Sequence, residues 1–357
     1  MADERIEAAI AHWAPRFTSQ GVDMNDFRAI TDGLERWEEW LPAWAASGDR
    51  HTELALEAEA HGYERTAGEA WVRAALAFHF AKFVWMVDMD EHDRAEQRAI
   101  SSLANAHRHL DPSAERIEIP LTDEITMAGN LRRPSDSLQP GSRPPLVLLL
   151  AGLDSTKEEF FNWEQVFLDR GLATFSLDGP GQGEVSKSSH IWPNYEAAVT
   201  PALDVLCRRD DVDADRIGAA GVSLGGYYAP RAAAYEQRIK AVVGISGPFT
   251  FGECWDSMPG PTRDTVMHHT GASSLEETRE RAMQLTLADA APLLEQPALM
   301  ITGRLDRLIP WEQTKRIADA APNAEFVLWD EGNHVCNNIP YKYRPLTADW
   351  LAEHLAA

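Results

Sequence analysis

A chain of 357 residues is long for one ordinary domain and short for three. Its formal net charge of −23 at pH 7 repels phosphate backbones and anionic lipid, so neither nucleic acid nor a membrane surface is an expected partner. Cys207, Cys254 and Cys336 are too scattered for a disulfide framework, the opening stretch MADERIEAAIAHW has no apolar signal core, and the longest apolar run, residues 146–151, is far too short to span a bilayer. The expectation is a cytoplasmic enzyme.

The N-terminal region, residues 1–112, is rich in Ala, Glu, Trp and His and shows no strand-like alternation. Residues 68–87, GEAWVRAALAFHFAKFVWMV, place Trp71, Ala75, Phe78 and Val84 at helical spacing, with Ala74, Leu76 and Phe80 widening the stripe. Residues 93–110 form a second helical pattern, stopped by Asp111-Pro112. The prediction is a helical N-terminal domain of several helices. Its rings (Trp37, Trp40, Trp44, Trp71, Phe78, Phe80, Phe83, Trp85) are numerous enough to wall an aromatic pocket, but their helical spacing assigns most of them to a core.

At about residue 115 the texture changes. RIEIPLTDEITMAGNLRRP alternates in strand fashion and predicts a hairpin or meander, closed by the turn sequence SDSLQPGSRP. PLVLLLAG, residues 145–152, is continuously apolar, as a strand buried on both faces of a parallel sheet must be. Helix-like and strand-like segments then alternate to the end of the chain. Residues 113–357 therefore predict an α/β domain, a mainly parallel sheet flanked by helices. One block, about residues 250–296, interrupts the rhythm and reads as a helical insertion, with a capping box from Ser274 to Glu277.

Gly221-Val-Ser223-Leu-Gly225 lies between the strand-like RIGAAGV and the helix-like LGGYYAPRAAAYE, which is where a nucleophile elbow belongs. A serine hydroxyl needs a base to take its proton. Of 12 histidines, His334 follows the last strand-like segment, AEFVLWDEGNH. The others have plainer readings: His354 lies on the closing helix, His268-His269 in the insertion, and His107-x-His109 on different faces of one helix, which suits no metal. The base needs an acid to fix its tautomer, and Asp306, in PALMITGRLDRLIP, precedes His334 by 28 residues, room for one helix and one strand. The oxyanion donors are expected to be the backbone N–H groups of Leu224, after the nucleophile, and Leu153, after the early strand, with residues 154–157 around the pocket mouth. The loop Asp178-Gly-Pro-Gly-Gln-Gly183 looks like a phosphate cradle, but it lacks the Lys-Ser/Thr of a Walker motif, and no G-x-G-x-x-G is present. No cofactor and no metal is expected.

The set Gly152-Leu-Asp-Ser-Thr-Lys-Glu158, Asp178-Gly-Pro-Gly-Gln-Gly183, Gly221-Val-Ser223-Leu-Gly225-Gly226, Gly303-Arg-Leu-Asp306 and Gly332-Asn-His334 resembles the α/β-hydrolase superfamily over residues 115–357. More narrowly, the GLDSTKEE loop, the helical N-domain and the His334-x-Cys336-x-Asn338 ending resemble the branch with a helical N-terminal cap, which includes 2,6-dihydroxypseudooxynicotine hydrolase and the fungal polyketide-shortening hydrolases. That resemblance implies a serine hydrolase acting on a small molecule, able to cleave a carbon–carbon bond next to a ketone, with the N-domain closing over the site. It also implies an assisting acid after the strand that follows the elbow, for which Glu253 is the nearest candidate. Two alternatives stay open: an ordinary carboxylesterase, and a catalytically silent hydrolase fold used for binding. A homodimer through the helical N-domain is open as well.

Overall fold

The computed structural model describes residues 3–139 and 141–356. They form two compact units. One runs up to Ala114 and includes Glu158–Asn162 and Pro259–Thr265; the other comprises Glu115–Lys157, Trp163–Met258 and the chain from Val266 onward.

The first unit is built from Glu4–Gln20 (α1), Met24–Thr31 (α2), Trp40–Ala60 (α3), Glu64–Lys82 (α4) and Met89–Leu110 (α5). Aspartates start three of them: the side chains of Asp3, Asp23 and Asp88 accept from the orphan N–H groups of Arg5, Asn25 and Asp90. The rings pack together, as the spacing predicted. Phe17 lies edge-on to Phe80 at 4.2 Å between centroids, and Trp40 and Trp44 complete the cluster. Buried indoles find carbonyls: Trp40 Nε1 donates to Phe80 O at 2.9 Å and Trp85 Nε1 to Trp37 O at 3.0 Å. The helix predicted over residues 68–87 is shorter than expected. It ends at Lys82, and Val84 takes a left-handed φ of 45°. That turn lets Trp85 reach the Trp37 carbonyl before Asp88 caps the next helix.

Charge is buried among these rings. The Arg16 guanidinium forks onto Glu159 at 2.7 and 2.6 Å, and His79 Nε2–H donates to the same carboxylate at 3.1 Å. Lys82 pairs with Glu96 at 3.2 Å. Burial pushes the His79 imidazole below its ordinary pKa and outweighs the attraction of Glu159, so it donates as a neutral ring. Burial would raise the Glu159 carboxyl, but the Arg16 charge and its hydrogen bonds hold it well below the usual carboxylate range.

The second unit is an eight-stranded sheet. Glu115–Pro120 (β1) alternates, with Ile117 and Ile119 turned inward, and pairs antiparallel with Thr126–Arg132 (β2). The remaining strands are Pro145–Leu150 (β3), Ala173–Asp178 (β4), Asp213–Val222 (β5), Ile239–Ile245 (β6), Ala298–Gly303 (β7) and Ala324–Trp329 (β8). They lie in the order β1-β2-β4-β3-β5-β6-β7-β8, and all pairs beyond β2–β4 are parallel. Continuous apolar runs occupy the centre; Leu146 to Leu150 are fully buried. Phe161–Leu168 (α6), Glu196–Leu206 (α7) and Gly225–Tyr235 (α8) connect successive strands. Gly260–Thr270 (α9) and Leu275–Met283 (α10) lie in the insertion between β6 and β7. At the start of α10, Ser274 Oγ accepts from Glu277 N, while Glu277 takes the Ser273 N–H rather than that of Ser274, a variant of the predicted box. Trp311–Ala320 (α11) and Pro340–His354 (α12) finish the chain. The architecture is that of an α/β-hydrolase with a helical N-terminal region. Among the described residues, no helix is long and apolar enough to cross a membrane.

Candidate active site

Every residue singled out for chemistry in the sheet unit, Glu253 excepted, follows the carboxyl end of a parallel strand, where the backbone must turn and open sheets present their crevices. Ser223 follows β5 directly. It holds a left-handed φ of 56°, a strained state for a serine, with its N–H bound to Ile245 O at 2.8 Å. The flanking glycines are sterically required. A Cβ on Gly221 would stand 1.9 Å from Gly225 O, and one on Gly225 would stand 2.1 Å from Leu150 O. Strand and helix therefore close around the serine only because both neighbours lack side chains.

Three side chains then join in sequence. The Ser223 hydroxyl donates to His334 Nε2 at 3.0 Å, and His334 Nδ1–H donates to Asp306 Oδ2 at 2.8 Å. The carboxylate dictates this tautomer, since it can only accept from Nδ1 and so leaves Nε2 as the acceptor. Asp306 is itself pinned: its Oδ1 accepts from the amides of Leu308 and Ile309, each at 3.0 Å, and its side chain is fully buried. One carboxylate oxygen thus receives the imidazole N–H and the other the two loop amides.

His334 is positioned by an unusual loop. Val335 and Cys336 take consecutive left-handed φ angles of 58° and 56°. Val335 N–H is held by Ser246 Oγ at 3.0 Å, and Ser246, itself at φ 50°, sits at the end of β6. Asn338 braces the loop from the far side, bonding Asn333 N through Oδ1 and Glu331 O through Nδ2. Cys336 is a packing residue, its thiol pushed up to about 12 by burial. Ser246 carried no signal in the sequence, because its partner lies 89 residues away.

Gly152 lies against Ser223: a Cβ there would stand 3.1 Å from Ser223 Cβ and 3.5 Å from its Oγ. Neither Leu153 N–H nor Leu224 N–H serves as a donor in the turn, loop and cap bonds of the described residues. Lys157 departs from expectation. Instead of lining a pocket mouth it is buried, its N and Nζ bonded to Asp178 at 2.9 and 2.8 Å and its Nζ also to Glu184 at 2.8 Å. An ammonium that close to two carboxylates stays inside because the pairing offsets its desolvation. The loop that resembled a phosphate cradle thus already holds an internal cation.

Glu253 lies in a 3-10 turn, residues 251–257, after β6. Its carboxylate accepts from Gln313 Nε2 at 2.8 Å and from Arg316. Burial would raise its pKa, but these two partners lower it below the ordinary value, so it is ionised at neutral pH. Four of the other histidines have these neighbours: His109 bonds Glu59 and Glu64, His354 stacks on Trp350, and the His268 and His269 rings lie edge-on to one another. Among the described residues no cluster of His, Cys, Asp and Glu is placed to hold a metal ion.

Comparison with known proteins gives a consistent set. Residues 26–260 match the family model described as esterase FrsA-like. The chain is 31% identical over 354 residues to 2,6-dihydropseudooxynicotine hydrolase of Paenarthrobacter nicotinovorans, covering 98% of this chain and 94% of that protein. It is 32% identical over 247 residues to the α/β hydrolase gkaG of Penicillium citrinum, covering 66% and 58%. The crystal structure of 2,6-dihydroxy-pseudo-oxynicotine hydrolase superposes with a TM-score of 0.86 at 30% identity, over 96% of this chain and 95% of that one. AbyA5 shares the fold, with a TM-score of 0.74 at 20% identity over 94% and 95% of the two chains.

Proposed function

The chain belongs to the FrsA-like esterase family and is an α/β-hydrolase, and from that premise we propose that it works through an acyl-enzyme on Ser223, cleaving a carbon–carbon bond next to a carbonyl in an aromatic ketone or polyketide-like small molecule. The observation that carries this reading is the unbroken hydrogen-bond chain Ser223–His334–Asp306 on a strained elbow. The full-length similarity to a protein named as a pseudooxynicotine hydrolase supports the choice of bond.

In the proposed reaction His334 Nε2 takes the Ser223 proton as Oγ attacks the carbonyl carbon. The oxyanion that forms accepts from the N–H groups of Leu153 and Leu224. Asp306 stabilises the imidazolium without taking its proton. When the tetrahedral intermediate collapses, the electron pair of the broken bond goes to the departing carbon, which leaves as an enol or phenol tautomer after protonation by the imidazolium. Water, deprotonated by the same imidazole, then releases the acid and restores Ser223. Glu253, bonded to Gln313 and Arg316, has no step in this scheme.

Intact-mass analysis of wild type and Ser223→Ala, each incubated with benzoylacetone and with a p-nitrophenyl ester, tests this. An acyl adduct on wild type alone is expected with both. Turnover of the ester with no cleavage of the diketone would favour the second reading, a carboxylesterase, to which the family description points. Failure of a fluorophosphonate to label Ser223 would remove the nucleophile altogether.

A further inference from the structure

Gln182 lies in the Asp178-Gly-Pro-Gly-Gln-Gly183 loop after β4 and is 1% exposed. Its Nε2 donates to two carbonyls at once, Ala151 O at 2.9 Å and Gly152 O at 3.0 Å. Its Oε1 accepts from Gly179 N–H at 3.1 Å and from the Tyr195 hydroxyl at 2.5 Å. All the amide's donors and its oxygen are thereby used, and the pattern fixes its orientation: flipped, the NH2 would face a backbone N–H and the oxygen would face two carbonyls. Tyr195 is fully buried and stacked on Tyr228 at 3.8 Å, and burial keeps its phenol protonated and therefore a donor.

The Gly152 carbonyl and the Leu153 N–H belong to one planar trans peptide, so they point in opposite directions. A group that grips the carbonyl on one side aims the N–H to the other. Gly152 lies beside Ser223. We propose that Gln182, oriented by Tyr195, is the positioning residue that aims the Leu153 N–H at the developing oxyanion. The loop sequence serves this placement. Gly183, at φ 44°, has no room for a Cβ, which would stand 2.3 Å from Asp178 Oδ2. Asp178 in turn bonds Lys157 N, so both sides of the Leu153 turn are tied to the same loop.

The inference rests on the reading of Ser223 as nucleophile and Leu153 N–H as oxyanion donor. It is tested with p-nitrophenyl butyrate turnover and with an alkyl trifluoromethyl ketone, which adds to a serine hydroxyl to give an oxyanion. Gln182→Glu keeps the shape but leaves at most one donor for the two carbonyls. It is expected to lower kcat by roughly 10- to 100-fold, with KM within about twofold, and to weaken the fluoroketone by the same factor. Tyr195→Phe, which releases only Oε1, is expected to show the same parallel loss at about 3- to 10-fold. A loosened fold would instead move KM and Tm and would not tie the fluoroketone affinity to kcat. Unchanged kcat and fluoroketone affinity in Gln182→Glu overturn the proposal; if that variant does not fold, unchanged values in Tyr195→Phe overturn it. Fluorophosphonate labelling of wild type separates the two levels, since an unlabelled Ser223 sinks the underlying reading, whereas a labelled one leaves the fate of Gln182 to the variants.

Discussion

Both units bury a cation against carboxylates, and they do so in unlike surroundings. In the sheet unit Lys157 sits between Asp178 and Glu184, which flank a loop whose Gly179, Gly181 and Gly183 have no room for a Cβ. In the helical unit Arg16 sits against Glu159 and His79 inside a shell of rings, its guanidinium 4.7 Å from the centre of Phe83. The first arrangement ties the backbone and side chain of Lys157 to the end of β4. The second neutralises charge within an aromatic core. A buried ion pair alone therefore says little about where the chemistry lies.

The largest expected effect falls on the sheet unit. Asp306→Asn keeps an oxygen for the Leu308 and Ile309 amides but disfavours the required His334 tautomer, and kcat for an ester should fall by about 10⁴-fold with the far-ultraviolet spectrum unchanged. A loss below tenfold would take Asp306 out of the reaction.

On the helical side the expected effect is on stability. Glu159→Leu strands the Arg16 charge in the core and should cost about 3–5 kcal/mol in urea unfolding. The double variant Arg16→Met/Glu159→Leu removes both charges and should be more stable than Glu159→Leu alone. If the effects of Arg16→Met alone and Glu159→Leu alone simply add in the double, the neutralisation described above is wrong.

The pH dependence follows with its sign. The folded pKa values of both His79 and Glu159 are depressed, so the folded state binds fewer protons than the unfolded chain. Their contribution is complete above the ordinary histidine value of 6.5 and declines as pH falls, first through His79 and then, below the ordinary carboxylate value of 4.5, through Glu159. Thermal unfolding at pH 7.5 and pH 5 should show Tm dropping on acidification, and His79→Gln should flatten the part between the two. A Tm that rises on acidification would contradict this.

The smallest effect is expected at Glu253. Its pair with Arg316 is substantially exposed, so Glu253→Gln should cost less than about 1 kcal/mol and leave kcat within about twofold. A tenfold or greater fall in cleavage of a diketone, with ester turnover intact, would make it the assisting acid that the family resemblance implied.

Much of the sheet unit could be read from the chain because its signals are local. Residues 145–150 have no polar side chain to place, so they form an interior strand. Gly221 and Gly225 bracket Ser223 because a turn that tight excludes Cβ atoms, and that exclusion is visible in five residues. Asp306 and His334 stand out by order along the chain, each after a strand-like run. The end of α4 was misplaced for the converse reason: residues 83–87 keep a helical apolar pattern, but a tertiary bond from Trp85 to Trp37 O, 48 residues away, wins over it.

The sequence by itself determined the class of fold and singled out Ser223, Asp306 and His334, since each follows a strand end whose backbone geometry a few neighbouring residues enforce. Only the tertiary structure decided that Lys157 is interior, that Ser246 holds the histidine loop, that Gln182 grips the Gly152 carbonyl and that Arg16 meets Glu159. Those partners stand 21, 89, 30 and 143 residues apart, and a buried polar group takes whichever partner the packed chain brings within 3 Å or so, which no local pattern encodes.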